Sequence, residues 1–196
     1  GGTVAVGDIC NTTDTIELKQ KSNLLFYNFI ESLGFSETKA ADRFAFAANT
    51  AEKFGSMVNG QRSIVPHAPY SVSKQLFNLL NSVAKDKTIA IHNQESKAED
   101  DLYKTGDSDF KRLYTALGID ASFFKASGKS SLQTYLPWLS KAMSLILVHN
   151  TYTSTEDFYI ANQRSGITNQ KVFFCLCPNA NVYIEGIMPP VEAMRR

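Results

Sequence analysis

Three short apolar runs of this sequence end on a histidine. His67 ends "RSIVPH", His92 ends "KTIAIH" and His149 ends "LILVH". Runs of this length, rich in Val and Ile, predict buried strands. Because the carboxyl ends of parallel strands share one edge of a sheet, we expect the three imidazoles to gather there. A lone histidine at a strand end is more often a structural group, but three at one edge favour a functional site.

Metal-assisted hydrolysis is the chemistry that this pattern favours. Neutral imidazoles that converge on one point hold Zn²⁺ or Fe²⁺. Such a metal lowers the pKa of a bound water towards about 7. Glu95 follows His92 by three positions, and a carboxylate placed there can move a proton from water to a leaving nitrogen. The competing interpretation of Glu95 is a solvated carboxylate in the first turn of a helix, which also suits Glu99, Asp100 and Asp101.

The ligand set predicted from these residues is incomplete. Catalytic zinc usually takes three protein ligands, and His92 and His149 supply two. His67 precedes a rigid Ala-Pro turn, which is better suited to presenting a side chain to substrate. Asp8, near the end of the first apolar run, is the nearest further candidate.

The elements that must position these residues alternate between strand and helix. Apolar runs predict six strands, and helical periodicity fills most of the gaps between them. Strands are predicted at 3–10, 24–29, 62–67, 87–92, 145–149 and 171–176, and helices at 36–55, 71–86, 108–118, 131–143 and 154–163. Ser36 is the predicted N-cap of the first helix, and Ser154 with Asp157 forms a capping box. The alternation predicts an α/β fold with a parallel sheet covered by helices.

Composition excludes several other classes of protein. The 20 Lys and Arg residues are balanced by 19 acidic ones, so no basic face indicates a nucleic acid partner. No apolar run approaches the roughly 20 residues of a membrane span. An odd count of three cysteines favours a reducing compartment, the cytoplasm. Cys175 and Cys177 are expected to be buried thiols in a strand, because zinc pairs are usually spaced more widely.

Five segments resemble successive strand-end motifs of the amidohydrolase superfamily. They are similar to its aminohydrolase branch, which includes guanine, cytosine, adenosine and S-adenosylhomocysteine deaminases and chlorohydrolase-like proteins. In chain order, the five segments are "GTVAVGD", "VPHAPYSVS", "AIHNQES", "LVHNTYTSTED" and "CPNANVYIEGIMPPV". The resemblance covers nearly the whole chain and implies a (β/α)₈ barrel fold.

The resemblance also implies roles for individual residues. His92 and His149 match metal ligands from the fifth and sixth barrel strands, and Glu95 matches a glutamate that shuttles protons. His67 matches a histidine that contacts substrate after the fourth strand. Asn181 matches a polar position after the seventh strand whose role is more structural than chemical. The implied cofactor is Zn, or Fe, and the implied partner is a small-molecule substrate.

Two departures from the family pattern affect what we expect of this chain. The His-x-His pair of the first strand and the Asp of the eighth strand have no counterpart in residues 1–196. The six strands therefore match strands two to seven, and residues 1–196 are expected to form a single, truncated barrel domain. We expect the metal to be absent or weakly bound, the isolated chain to be inactive, and its exposed barrel edges to promote a homo-oligomer.

The sequence predicts a fragment of a metal-dependent aminohydrolase, which removes ammonia from an amino-substituted heterocycle. Two alternatives stay open at this stage. One is an open α/β binding domain in which the histidines are structural. The other is a barrel relative that has lost catalysis and acts as a scaffold. Convergence of the His92 and His149 side chains distinguishes the enzyme from the binding domain.

Overall fold

Strands and helices alternate along the chain as the pattern predicts. The computed structural model describes residues 2–57 and 59–194, without side-chain detail for residues 165–168. The strands are β1 (Ala5–Cys10), β2 (Leu25–Ser32), β3 (Gly60–Pro66), β4 (Thr88–Asn93), β5 (Ser144–His149) and β6 (Lys171–Cys175). The helices are α1 (Ile16–Gln20), α2 (Ala40–Phe54), α3 (Lys74–Ser82), α4 (Lys97–Lys104), α5 (Phe110–Ala116), α6 (Ser131–Tyr135), α7 (Thr155–Thr168), α8 (Pro178–Glu185) and α9 (Val191–Met194). All six predicted strands are confirmed.

The six strands are parallel and follow one another in chain order. They form two three-stranded sheets, β1-β2-β3 and β4-β5-β6. Three hydrogen bonds join the sheets where β3 meets β4. His92 N donates to His67 O at 2.9 Å, Ser63 Oγ to Thr88 O at 2.7 Å, and Thr88 N to the Tyr27 hydroxyl at 3.0 Å. This sequential order of parallel strands is that of a (β/α)₈ barrel, so the α/β class is confirmed.

One apolar core spans both sheets. Phe29 and Val65 from the first sheet pack in the same cluster as Ile89 and Leu145 from the second. Helices α3 and α6 cover this cluster with fully buried side chains that include Leu76, Leu80, Leu132 and Tyr135. Because apolar area removed from water stabilises a fold in proportion to its size, this shared core holds the two sheets together.

Serine side chains begin four of the helices. Ser73, Ser96, Ser130 and Ser154 each accept a hydrogen bond from a backbone N–H in the first turn that follows. The predicted capping box of Ser154 and Asp157 is present in full. Ser36, by contrast, makes no capping bond, because a 3₁₀ turn over Glu37–Lys39 separates it from α2.

The sequence prediction for the two neighbouring cysteines is wrong. Cys175 ends β6 with an exposed thiol, and Cys177 lies beyond the strand, half-buried, where α8 begins. Strand alternation therefore does not bury both side chains. Within the described residues, none of the helices has the combination of length and apolar character that crossing a bilayer needs.

We expect Tyr27→Phe to lower the free energy of unfolding by about 1 kcal/mol, because it removes the hydroxyl that accepts the Thr88 N–H between the two sheets. Urea unfolding followed by circular dichroism measures this change. Tyr183→Phe is the matched control, since Tyr183 is 91% exposed and its hydroxyl loss should cost less than about 0.5 kcal/mol. Equal effects of the two changes would contradict the role given to Tyr27.

Candidate active site

The three histidines lie together at the carboxyl edge of the sheets. His67 directly follows β3, His92 is the second-last residue of β4, and His149 is the final residue of β5. The ring centroids of His67 and His92 are 5.1 Å apart, and those of His92 and His149 are 5.2 Å apart. His92 is therefore the middle member of a row of imidazoles, and the convergence expected from the sequence is present.

Glu31 joins this row and was not predicted from the sequence. It is buried near the end of β2, with Oε1 3.3 Å from His92 Nε2. One potential ligand atom from each of Glu31, His67 and His92 lies within 4.8 Å of the others. The prediction ended this strand at Phe29. Continuing the apolar run to Ile30 would have placed a carboxylate at the same edge as the histidines.

Ser71 holds the ring of His67. Nδ1 of His67 is 2.6 Å from Ser71 Oγ, and that hydroxyl also lies 3.1 Å from Ala68 O, to which it can donate its hydrogen. When Ser71 Oγ accepts from Nδ1–H, Nε2 of His67 keeps a lone pair, the form of imidazole that binds metals.

His92 and His149 are held in the same manner. Glu31 accepts from Nε2–H of His92, while Nδ1 of His92 is buried and has no partner within the described residues. Asn181 donates its amide hydrogens to His149 O and Thr151 Oγ1, so its Oδ1 is turned towards Nδ1 of His149 in a long contact of 3.5 Å. Each imidazole thus has at least one nitrogen held by a neighbouring group, which is how proteins orient metal-binding histidines.

Burial favours the neutral form of two of the imidazoles. It lowers the pKa of His67 and the pKa of His149, although the carboxylates of Glu31 and Glu95 partly oppose the effect. Burial alone would raise the pKa of Glu31, but its hydrogen bond from His92 and the proximity of the His67 and His92 rings bring that pKa below its ordinary value. The site therefore favours an ionised Glu31 beside a neutral His67 and a neutral His149.

Glu95 lies against His149. Its Oε1 is 3.2 Å from His149 Nε2, and its side chain is mostly buried. Because Nδ1 of His149 faces Asn181 Oδ1 and Nε2 faces this carboxylate, a neutral ring can donate a hydrogen to only one of the two acceptors. Full pairing needs an additional proton, or a cation beside Nε2 and the carboxylate. The geometry suits a carboxylate that receives and returns a proton.

Buried amides connect the turns that follow His92 and His149. Asn93, Gln94 and Asn150 are fully buried. Asn93 Nδ2 donates to Asn150 Oδ1 at 3.0 Å, and Gln94 Nε2 donates to Asp157 Oδ2 at 3.0 Å. The buried network stabilises three left-handed residues at this edge, with φ of 46° at Gln94, 76° at His149 and 61° at Asn150. Such backbone is uncommon outside glycine and is found at functional sites.

Glu99 is a second buried carboxyl behind the site, and the prediction that it is solvated is wrong. Its exposed fraction is 0%. Oε1 accepts from Gln94 N at 3.0 Å and from the Ser131 hydroxyl, while Oε2 has no partner among the described residues. Burial raises the pKa of Glu99 to about 7. Through Gln94 N, this residue holds the turn that presents Glu95.

The residues of the edge suit a divalent metal such as zinc. One potential ligand atom from each of Glu31, His67 and His92 lies within 4.8 Å of the others, and His92 Nδ1 is a buried acceptor with no partner among the described residues. This donor set is one that Zn²⁺ prefers. Asp8, the further candidate from the sequence, instead pairs with Lys19 Nζ at 2.5 Å. Which residues act as ligands stays a prediction.

Comparison with known proteins supports the fold. No family model matches the sequence, and no curated protein matches it significantly. Among solved structures, Helicobacter pylori aminofutalosine deaminase matches at 24% identity and a TM-score of 0.82 over 99% of this chain and 47% of that one. An adenosine deaminase from Xanthomonas campestris with bound zinc matches at 20% identity and a TM-score of 0.66, over 100% of this chain and 40% of that one. An Arthrobacter aurescens atrazine chlorohydrolase variant complexed with zinc and atraton matches at 11% identity and a TM-score of 0.60, over 99% of this chain and 43% of that one.

These matches confirm the resemblance to the amidohydrolase superfamily at the level of the fold. The chain spans slightly less than half the length of the aminofutalosine deaminase. Identities below 25% carry fold information only, so activity and ligands have to be argued from the residues of the site.

The buried Glu99 carboxyl should make folding depend on pH. Its folded-state pKa of about 7 exceeds the ordinary value of 4.5, so the folded chain binds more protons than the unfolded chain between these values. Stability from this group is therefore lost as pH rises, by about 3 kcal/mol across the interval. We expect the free energy of unfolding of the wild type, relative to Glu99→Gln, to fall by that amount from about pH 4.5 to about pH 7.

Urea unfolding at several pH values measures this difference. Glu52→Gln is the matched control, because Glu52 lies on the exposed face of α2, and its difference from the wild type should stay nearly constant. A pH-independent difference for Glu99→Gln would show that folding does not raise the pKa of the Glu99 carboxyl.

Proposed function

We propose that this chain forms part of a metal-dependent aminohydrolase that hydrolyses a non-peptide C–N bond and releases ammonia from an amino-substituted heterocycle. The observation that supports it best is the convergence of His67, His92, His149, Glu31 and Glu95 at one strand edge. The fold is shared with a deaminase and an adenosine deaminase with bound zinc, and hydrolysis at a strand-end metal site is consistent with this arrangement.

In this proposal His92 and His149 hold the metal, Zn or Fe. When bound, the metal supplies water acidified enough to act as the nucleophile near neutral pH. Glu31 and His67 lie beside His92, so either can add to the ligand set or contact the substrate. His67 keeps the substrate-contacting role expected from the sequence, and the Ser71 hydroxyl holds its ring through Nδ1.

Glu95 is the proposed catalytic residue. Its carboxylate takes a proton from the attacking water and delivers it to the departing nitrogen, so that ammonia leaves as a neutral molecule. His149 positions Glu95 through the 3.2 Å contact, and Asn181 keeps Nδ1 of His149 turned away. Partial burial of the pair limits exchange of this proton with solvent.

The described strands correspond, in this proposal, to strands two to seven of the barrel, and residues 1–196 to one incomplete domain. Within the described residues neither β1 nor β6 has a partner on its outer side, and Ile9 and Phe173 are exposed there. Unpaired parallel edges are prone to pair with other chains. We therefore propose weak metal binding, little activity and self-association for the chain by itself.

We expect this chain to bind Zn²⁺ and His92→Gln to weaken the binding at least tenfold, since the change removes a ligand while keeping a polar side chain of similar size. Titration calorimetry in the Cys175→Ser/Cys177→Ser background measures this and removes thiol binding from the signal. The control is Gln61→Asn, a polar change at an exposed residue near the start of β3, away from the site. Equal affinities of the parent and His92→Gln would contradict the metal site.

Activity is tested on the protein encoded by the native reading frame that contains this sequence. Ammonia release from adenosine and other aminopurines is measured with zinc present. We expect Glu95→Gln to lower kcat at least 100-fold, the usual contribution of a positioned general acid–base, while the zinc content stays unchanged. Glu156→Gln, an exposed change in α7, should leave kcat unaltered. An unaffected rate in Glu95→Gln would exclude the proposed proton transfer.

A further inference from the structure

A thiol, an amine and a carboxylate meet where β1 ends, outside the site described above. Lys19 of α1 places its Nζ 3.2 Å from Cys10 Sγ and 2.5 Å from Asp8 Oδ2. Cys10 and Lys19 are each only 5% exposed. A sulfur and a nitrogen in contact can be joined covalently once the sulfur is oxidised, because a sulfenic acid condenses with a neighbouring nitrogen.

The nitrogen of Lys19 is held in one position. Its three N–H donors are matched by three acceptors, since Asn28 Oδ1 lies 2.8 Å away in addition to the thiol and the carboxylate. The ring centroids of Phe26 and Phe54 lie 5.5 and 5.1 Å from Nζ. Asn59 Nδ2 also donates to Lys19 O at 2.9 Å. The buried amine therefore stays beside the sulfur.

The sulfur of Cys10 is restricted in the same way. Cys10 is the last residue of β1, and it pairs in register with Ile30, one position before Glu31. Its thiol lies 3.5 Å from Asp8 Oδ2, so one carboxylate oxygen contacts both the sulfur and the nitrogen. The side chain of Asp8 is 38% exposed, which gives a small polar oxidant an approach from solvent.

The surroundings of Cys10 affect how fast it reacts. Burial raises the pKa of the Cys10 thiol, and Lys19 opposes this effect through its hydrogen bond and its charge. Because the thiolate is the form that peroxide oxidises, the first step should be slow at neutral pH. The second step needs no encounter with solvent, since the amine is already in contact with the sulfur.

We propose that oxidation joins Cys10 and Lys19 in a sulfenamide, with a covalent bond between Sγ and Nζ. Hydrogen peroxide first transfers one oxygen atom to the thiol, which gives a sulfenic acid and one water. Asp8 then takes a proton from the ammonium, and Nζ attacks Sγ. The S–N bond forms as the S–O bond breaks, and the departing hydroxide takes the second nitrogen proton and leaves as water. In total, the thiol, the ammonium and one peroxide give the sulfenamide, two waters and one proton.

This cross-link fastens the end of β1 to α1 and is reversible. Two equivalents of a thiol reductant break the S–N bond, restore Cys10 and Lys19, and leave as a disulfide. Capture by the amine also removes the sulfenic acid before a second peroxide can convert it to the irreversible sulfinic acid. The inference concerns a modification of this chain and does not rest on the proposed function.

The test uses this chain with Cys175→Ser/Cys177→Ser, so that Cys10 is its only cysteine. The folded chain is treated with excess hydrogen peroxide, the remaining thiols are blocked with iodoacetamide in urea, and the tryptic peptides are weighed by mass spectrometry. We expect a peptide of residues 1–21 that is about 2 Da lighter than the reduced sequence, because two hydrogens are lost and a modified Lys19 resists trypsin. Dithiothreitol before blocking should remove this peptide, and peroxide treatment in urea, where the contact is lost, should not produce it.

Three variants complete the design. Lys19→Leu removes the amine and should abolish the lighter peptide. Lys53→Leu removes an exposed lysine of α2 and, as the matched control, should keep it. Asp8→Asn should slow its formation severalfold, because the amide cannot accept the ammonium proton. Circular dichroism shows whether each variant folds, and fragmentation of the peptide from the unsubstituted Lys19 chain locates the bond without any of them.

Several outcomes would overturn the proposal. A peptide that gains about 16 or 32 Da without any lighter product would show oxidation of the sulfur alone. A loss of about 2 Da that persists in Lys19→Leu would place the bond on a backbone nitrogen, and a Lys19-dependent gain of about 14 Da would indicate an oxygen atom between sulfur and nitrogen. A Cys10 thiol that stays fully reduced in excess peroxide would exclude the reaction altogether.

Discussion

A buried side-chain hydrogen bond, from Asn93 Nδ2 to Asn150 Oδ1, reinforces the backbone pairing of the carboxyl ends of β4 and β5. Each asparagine directly follows a histidine, so this contact helps to position the His92 and His149 imidazoles. The remaining polar atoms of the pair are also satisfied: Tyr135 donates its hydroxyl hydrogen to Asn93 Oδ1, and Asn150 Nδ2 donates to Leu147 O. Because an unpaired amide at this depth costs on the order of 1–3 kcal/mol, the two turns have few other arrangements open to them.

The number of hydrogen-bond donors explains why Asp157 and Glu99, two buried carboxyls behind the site, differ in protonation. Burial alone would raise the pKa of Asp157, but donors from Gln94, Ser130 and Ser154 surround both of its oxygens and bring the pKa below its ordinary value. Glu99 accepts hydrogen bonds on one oxygen only, so the effect of burial is larger and its pKa is raised. The hydrogen bonds thus favour negative charge on Asp157 and Glu31 and leave Glu99 about half protonated near pH 7. Charge near the site is set by the number of donors rather than by the number of acidic residues.

The sequence was informative wherever local pattern determines structure. Strand periodicity located all six strands, and strand ends located His67, His92, His149 and Glu95. Short helices such as α1 and α8 were missed because five to eight residues give too little periodicity. Glu31 was missed because the strand was ended early. The burial of Glu99 and Gln94 could not be anticipated, since it depends on Ser131 and Asp157, which lie far along the chain and offer the hydrogen bonds that make such burial tolerable.

The sequential order of the strands affects when their carboxyl edge forms during folding. Asn93 and Asn150 are 57 positions apart, and Glu31 reaches His92 only after β3 has been inserted between their strands. Closing loops of this length lowers conformational entropy before any contact stabilises the chain, so such contacts form late in folding. No pair among these histidines is local enough to capture an ion in the unfolded chain. Whatever binds here therefore meets a sheet already in place: it adds to the lifetime of the native state by mass action and does not nucleate the fold.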